Sequence, residues 1–191
     1  MQSIASEHEV LIENLRTAFE HESAAHTRYS EFAEKADGEG WHGVGSLFRA
    51  AARAEQIHAS NHARVLHQFG LTLEGPARVE VKTTLENLRT ALAGELFEVE
   101  TMYPAFLQQA RDAWDVAVVR TLTWSLCAEK THTRLFNEAL ALLEIEDEDS
   151  WVTMPRDFFV CPVCGYTSED PEEADKCPAC YCAWGRFECC R

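Results

Sequence analysis

The sequence predicts a mostly α-helical protein: a four-helix bundle with one long crossover, followed by a small module built around cysteines. Three observations predict this. Four long segments place apolar residues at alternating spacings of three and four, the period of a helix face buried in a bundle. The break between the second and third segments is long enough to run the length of the bundle. Seven of the eight cysteines crowd the last 31 of the 191 residues.

The first helix follows a Ser6–Glu9 capping box and carries Leu11, Leu15, Ala18, Glu22, Ala25, Tyr29, Phe32 and Ala36 on its seam. Asp37-Gly38-Glu39-Gly40 ends it. The second seam runs Val44, Phe48, Ala51, Glu55, His58, His62, Val65 and Phe69, again with its polar residues in the middle. Gly70 to Pro76 breaks the pattern, and Thr83 with Glu86 forms another capping box. The dozen residues between, if extended, reach about 40 Å. That matches a helix of nearly 30 residues, roughly 1.5 Å per residue, so this connection crosses the bundle. The third seam holds Leu88, Ala91, Glu95, Glu98, Met102 and Ala105. The fourth helix opens near Asp112 to Asp115 and holds Val118, Leu122, Ser125, Glu129, His132, Phe136 and Leu140.

The two halves of the bundle repeat. Glu13-Asn14-Leu15-Arg16-Thr17-Ala18 recurs letter for letter at 86–91, an offset of 73 that also carries Glu22 onto Glu95. An offset of 74 carries Tyr29 onto Tyr103, Phe32 onto Phe106, Glu55 onto Glu129 and His58 onto His132. The repeat therefore duplicates the polar residues at the seam midpoints.

Those residues form two Glu-x-x-His pairs, Glu55/His58 and Glu129/His132, with Glu22 and Glu95 facing them from the other two helices. Residues three apart share a helix face, and this is the donor set of di-iron and di-manganese carboxylate bundles. Unpaired carboxylates in a core are costly and repel each other; two divalent cations offset that charge, and carboxylate with imidazole suits iron or manganese. Glu55 and Glu129 occupy the positions of bridging groups. Glu98, one turn from Glu95, has only Ala25 as its counterpart. His62 reads as a core group or one behind the ligands, and His26 as a surface or supporting group.

Cys161-Pro-Val-Cys164 and Cys177-Pro-Ala-Cys180 form two Cys-x-x-Cys knuckles, which predict a tetrathiolate site for iron or zinc. Cys182, Cys189 and Cys190 are left over, with Cys182 a competitor for Cys180; Cys127 stands apart. The boundaries read as a bundle over 1–146, an acidic linker over 147–155 and the metal-binding module over 156–191. The formal net charge of −15 argues against nucleic acid. No apolar run approaches a membrane span of roughly 20 residues, and the polar N-terminus carries no secretory pattern, so the expected location is cytoplasmic.

The chain resembles rubrerythrin across nearly its whole length. The resemblance rests on Glu22-Ser-Ala-Ala-His-Thr-Arg-Tyr29, Ala54-Glu-Gln-Ile-His58, Gly94-Glu95, Glu98, Met102-Tyr103-Pro104, Ala128-Glu-Lys-Thr-His132 and Cys177-Pro-Ala-Cys180. It implies a ferritin-like di-iron bundle followed by a rubredoxin-like domain with a four-cysteine metal site. It also implies a metal pair on Glu22, Glu55, Glu95, Glu98, Glu129 and His132, with His58 replacing Glu98 on reduction. Tyr29 and Tyr103 match the family's supporting tyrosines, and Cys161, Cys164, Cys177 and Cys180 its third iron site. The implied activity is reduction of hydrogen peroxide to water. Electrons would come through the tetrathiolate iron from an NAD(P)H-dependent reductase or rubredoxin, in a homodimer, head-to-tail, or a tetramer. The Cys-Tyr-Cys run at 180–182 and the Cys189-Cys190-Arg191 end depart from the family pattern. The competing reading is a ferritin-like ferroxidase or iron-handling protein whose C-terminus is a structural zinc ribbon.

Overall fold

The computed structural model describes residues 4–71, 73, 79–145, 150–170 and 175–191, with the backbone alone for residues 4–7. Helices α1 (Ile4–Gly38) and α2 (His42–Leu66) pack antiparallel through a tight link. Helix α3 (Thr84–Phe97), a π-helical turn at Glu98–Met102, and α4 (Tyr103–Asp112) form the third column; α5 (Val116–Glu144) is the fourth. The crossover follows from where its ends lie. Helix α2 runs away from the α1–α2 link, yet α3 starts back beside it, where Glu39 Oε2 accepts from Thr84 N at 2.8 Å and Thr84 Oγ1 at 2.6 Å.

Local chemistry explains most boundaries. Thr83 and Glu86 make the reciprocal capping box, and the Asp115 carboxylate caps α5 through Ala117 N and Val118 N. Helix α1 already includes Ile4, so Ser6 lies inside it; the Ser6 side chain falls outside the described residues. The periodic pattern predicted one unbroken third helix, and the π-turn corrects it. Pro104 has no N–H to give, and the neighbouring Tyr103 N–H instead reaches back five residues to Glu98 O.

The seam midpoints make a polar layer that divides the apolar core. On one side lie Leu11, Leu15, Val65, Leu107, Val118 and Leu122; on the other Phe32, Leu47, Phe48, Leu88, Leu135 and Phe136. The cysteine module is a three-stranded antiparallel sheet, β1 (Phe158–Val160), β2 (Thr167–Ser168) and β3 (Glu188–Cys190), in the order β2-β1-β3. Alternation on β1 turns Phe158 and Val160 into the second bundle cluster. Val152, in the short turn Trp151–Thr153, joins them. Residues 147–149 of the expected linker, and Glu146 before them, lie outside the described residues. The module sits on the bundle of its own chain, pinned at its rim by Arg53 to Glu188 (2.7 Å) and Arg134 to Glu169 (2.5 Å).

Candidate metal centres

All four helix columns deliver to the polar layer. Glu22 comes from α1, Glu55 and His58 from α2, Glu95 from α3, and Glu129 and His132 from α5; each is at most 1% exposed. Glu55 and Glu129 each face both histidines. His58 Nδ1 lies 2.8 Å from Glu55 Oε2 and 3.0 Å from Glu129 Oε1. His132 Nδ1 lies 3.2 Å from Glu55 Oε1 and 2.9 Å from Glu129 Oε2. Glu55 and Glu129 therefore both stand between the two histidines. Glu22 and Glu95 close the two ends.

Two four-residue groups each gather their donor atoms within 4.8 Å: Glu22, Glu55, His58 and Glu129; and Glu55, Glu95, Glu129 and His132. Their chemistry fits a pair of divalent ions. Glu22 Oε2, Glu55 Oε1, Glu95 Oε2, both Glu129 oxygens and His132 Nδ1 are buried without a hydrogen-bond partner. These atoms crowd one another but lack hydrogen-bond geometry, as donors aimed at a common point would. Electrostatics agree. Burial, with the charges of Glu129, Glu22 and Glu95, pushes Glu55 well above the usual carboxylate range, and burial raises Glu95 to about 7. Burial opposes charge on His58 and His132, but the surrounding carboxylates hold both well above the ordinary imidazole value. Glu55 and Glu95 are thus pushed toward their protonated forms, while Glu22, despite its burial, is shifted the other way by its bonds to His58 and His62.

Glu98 stands apart. It is 4% exposed, pushed far up by burial and neighbouring carboxylates, and belongs to neither donor group. Its Oε1 lies 3.4 Å from His21 Nδ1, on a histidine stacked over Phe97. His58, by contrast, belongs to the group with Glu22, Glu55 and Glu129. Tyr29 donates to Glu95 Oε1 at 2.6 Å, and Tyr103 donates to Glu22 Oε1. Burial keeps both phenols protonated. His62 lies at 3.8 Å from Glu22 Oε1, whereas His26 turns away to Ala52 O.

Cys161, Cys164, Cys177 and Cys180 form the third group. Cys161–Cys180 and Cys164–Cys177 sulfurs are 3.5 Å apart, near the roughly 3.8 Å edge of a tetrahedron with metal–sulfur bonds of about 2.3 Å. Cys182 contacts Ala183 O and is outside the group, so Cys180 is the fourth donor. The two knuckles match: Gly165 N bonds Cys161 O and Tyr181 N bonds Cys177 O, both at 2.9 Å.

The first knuckle also touches the bundle cluster, which neither sequence motif announces. His58 Nε2 donates to Cys164 O at 3.0 Å, leaving Nδ1 pointed among the carboxylates. His132 Nε2 meets Thr167 Oγ1 at 3.0 Å, and that hydroxyl donates on to Gly165 O. Asn61 bonds Val163 O alongside. A Cβ on Gly165 would strike the His58 ring, 2.7 Å from Cδ2 and closer to Nε2.

Comparison with known proteins fits this geometry. The rubrerythrin family profile matches residues 13–140. The chain is 35% identical to rubrerythrin-2 of Clostridium acetobutylicum over 176 residues, 91% of this chain and 93% of that protein. It is 31% identical to nigerythrin of Nitratidesulfovibrio vulgaris, over 89% and 81% of the two chains. The fully reduced, all-ferrous nigerythrin structure superposes with a TM-score of 0.84 at 28% identity, covering 94% of this chain and 86% of that one. A bacterioferritin from Desulfovibrio desulfuricans, at 17% identity and a TM-score of 0.71, shares the bundle fold. With two carboxylate–histidine donor groups in a ferritin-like bundle and a four-cysteine module packed on it, the chain belongs to the rubrerythrin family.

Proposed function

We propose that this protein is a di-iron peroxidase that reduces hydrogen peroxide to water, with electrons returned through its cysteine-bound iron. The observation that carries the reading is His58. One face of its ring belongs to the bundle cluster and the other donates to Cys164 O, so one side chain links the two centres. Two ferrous ions would supply the two electrons that, with two protons, turn peroxide into two waters.

The chain's own residues bind and orient. Glu55 and Glu129 would hold both ions, Glu22, Glu95 and His132 would hold one each, and Glu98, in the π-turn, would give way to His58 on reduction. Tyr29 and Tyr103 hold phenolic protons on Glu95 and Glu22. The apolar clusters on either side of this layer exclude bulk water, and the buried acid groups confine the site to a small substrate. Cys161, Cys164, Cys177 and Cys180 would hold an iron, which would supply one-electron chemistry to the pair. Its donor is a rubredoxin-type carrier or an NAD(P)H-dependent reductase, and the working unit is a cytoplasmic homodimer. The bond from His58 to Cys164 O, made within one chain, supports transfer inside the chain.

Mixing the reduced protein with peroxide or oxygen in a stopped-flow spectrometer tests the reading. Reoxidation is expected to be at least about tenfold faster with peroxide, a barrier difference of about 1.4 kcal/mol. Equal rates refute peroxidase function and favour iron oxidation for storage.

A further inference from the structure

The internal repeat allows the two halves of the bundle to be compared position by position, and one place departs from the symmetry. Tyr29 and Tyr103 are counterparts, each donating to the carboxylate that closes one end of the cluster. The rings packed on Tyr29 are all phenylalanines among the described residues. Phe136 meets it edge-on at 5.4 Å, Phe48 lies at 5.9 Å, and Leu47 and Ala51 are buried in the same cluster. The offset of 74 that superimposes Glu55/His58 on Glu129/His132 also relates His62 to Phe136, Leu47 to Thr121 and Ala51 to Ser125. In each of the three pairs the polar member is the one on the Tyr103 side.

These three residues are buried, at 0%, 3% and 1% exposure, where polar groups are costly unless their bonds are complete. They complete one another. Thr121 Oγ1 is 3.0 Å from His62 Nδ1; His62 Nε2 is 3.3 Å from both the Tyr103 oxygen and Ser125 Oγ. The single phenolic proton of Tyr103 goes to Glu22, so Tyr103 can only accept from His62. The imidazole must therefore carry its proton on Nε2 and accept from Thr121 at Nδ1. A chain of donors results: Thr121 to His62, His62 to Tyr103, Tyr103 to Glu22. Among the described residues, Tyr29 has no such donor behind it.

We propose that His62, seated by Thr121 and Ser125, is a positioning residue that locks the Tyr103 phenol, and through it Glu22, before any ion binds. The Glu22 end of the pair is built in advance, while the Glu95 end, whose Tyr29 only donates, lacks that further anchor. The two metal positions, alike by repeat, are thereby made unequal in affinity. The inference rests on the metal-pair reading of the cluster and extends it.

Two measurements on the protein with its bundle cluster metal-free separate the possibilities. The first is ultraviolet resonance Raman of the tyrosine Fermi doublet, whose intensity ratio reports whether a phenol oxygen accepts a hydrogen bond. Tyr103 is isolated as the difference from Tyr103→Phe, and Tyr29 as the difference from Tyr29→Phe. Tyr103 is expected to accept and donate, and Tyr29 only to donate. In the triple variant His62→Phe, Thr121→Leu, Ser125→Ala, which places the repeat's own apolar residues in the pocket, Tyr103 should come to match Tyr29. His62→Gln, which keeps an N–H donor, should preserve the native doublet. A Tyr103 doublet unchanged in the triple variant, or already equal to that of Tyr29, overturns the network. The second is Mn2+ titration followed by electron paramagnetic resonance. The first and second ions should separate by about tenfold in Kd, the scale of a partner behind a metal ligand; the triple variant should bind them within about threefold, and His62→Gln should restore the gap. An unchanged gap in the triple variant overturns the proposal. The Raman arm needs no ion, so its failure indicts the network alone, whereas native protein that takes up no pair of Mn2+ ions refutes the metal-pair reading itself.

Discussion

Gly165 controls how closely the cysteine module approaches the bundle. Its φ of +78° would ordinarily explain a glycine, but Tyr181, at the equivalent place in the second knuckle, holds φ +60° with a full side chain. Tyr181 is 76% exposed; Gly165 lies on the His58 ring. The glycine is therefore required chiefly by the close approach. In Gly165→Ala, a Cβ 2.7 Å from His58 Cδ2 must retreat to ordinary contact at 3.4 Å, and since Nε2 is nearer the knuckle must lift by about 1 Å. The 3.0 Å bond from His58 to Cys164 O then stretches to about 4 Å and is lost. That costs about 1–1.5 kcal/mol for the bond, with about 1 kcal/mol more for alanine at positive φ. Both donor sets stay intact. In stopped-flow mixing of reduced protein with peroxide, oxidation of the bundle ions should proceed at the native rate. Oxidation of the cysteine-bound iron, followed by the return of its red colour, should slow by at least about tenfold, equivalent to 1.4 kcal/mol in the barrier. Tyr181→Gly is the control and should leave both phases unchanged. Equal slowing of both phases in Gly165→Ala, no slowing at all, or the same loss in Tyr181→Gly would refute the argument.

Two further outcomes follow from the buried cluster. Thr167→Val removes the acceptor of His132 Nε2; a chelator competition should show the bundle ions bound about 10–100-fold more weakly, with the visible spectrum of the cysteine site unchanged. Protein stripped of its bundle ions should lose stability as pH rises. Glu95 titrates near 7 when folded, mainly through burial, against a usual 4.5, so between these values the folded state holds a proton the unfolded chain has released, and about 3 kcal/mol is lost across that window. His58 and His132, raised by carboxylates that overcome their burial, extend the loss above pH 6.5. Glu22, whose bonds to His58 and His62 outweigh burial, is shifted the opposite way and matters only below about 4.5. Urea unfolding at pH 5 and pH 8 measures this; a metal-stripped protein more stable at pH 8 contradicts the assignment.

Residue spacing alone marks much of the site. Glu55 and His58, or Cys161 and Cys164, are close in the chain, and helix or knuckle geometry turns that closeness into a shared face or a pair of converging sulfurs. The repeat extends the inference across the bundle, because helices of matched length and seam bring Glu22 and Glu95 to the level of both Glu-x-x-His pairs. Thr83 and Asp115 mark helix starts for the same local reason. What escapes this logic spans long separations or depends on competition between near-equal arrangements. The π-turn reflects one missing N–H at Pro104 set against an otherwise regular seam. Whether Glu98 or His58 faces Glu55 and Glu129 depends on who else bonds them, and the structure pairs Glu98 with His21 and His58 with Cys164 O. The partners of His62 come from α5, about sixty residues away.

The sequence by itself therefore determined the bundle, the cysteine module and both donor sets, since local periodicity places ligands on faces whatever the distant chain does. Only the tertiary structure decided that the two centres touch. Cys164 and His58 are 106 residues apart, and nothing in either motif encodes the other. They meet because Phe158 and Val160 of β1 bury their side chains in the bundle core, and a residue without a Cβ stands where the knuckle reaches the imidazole.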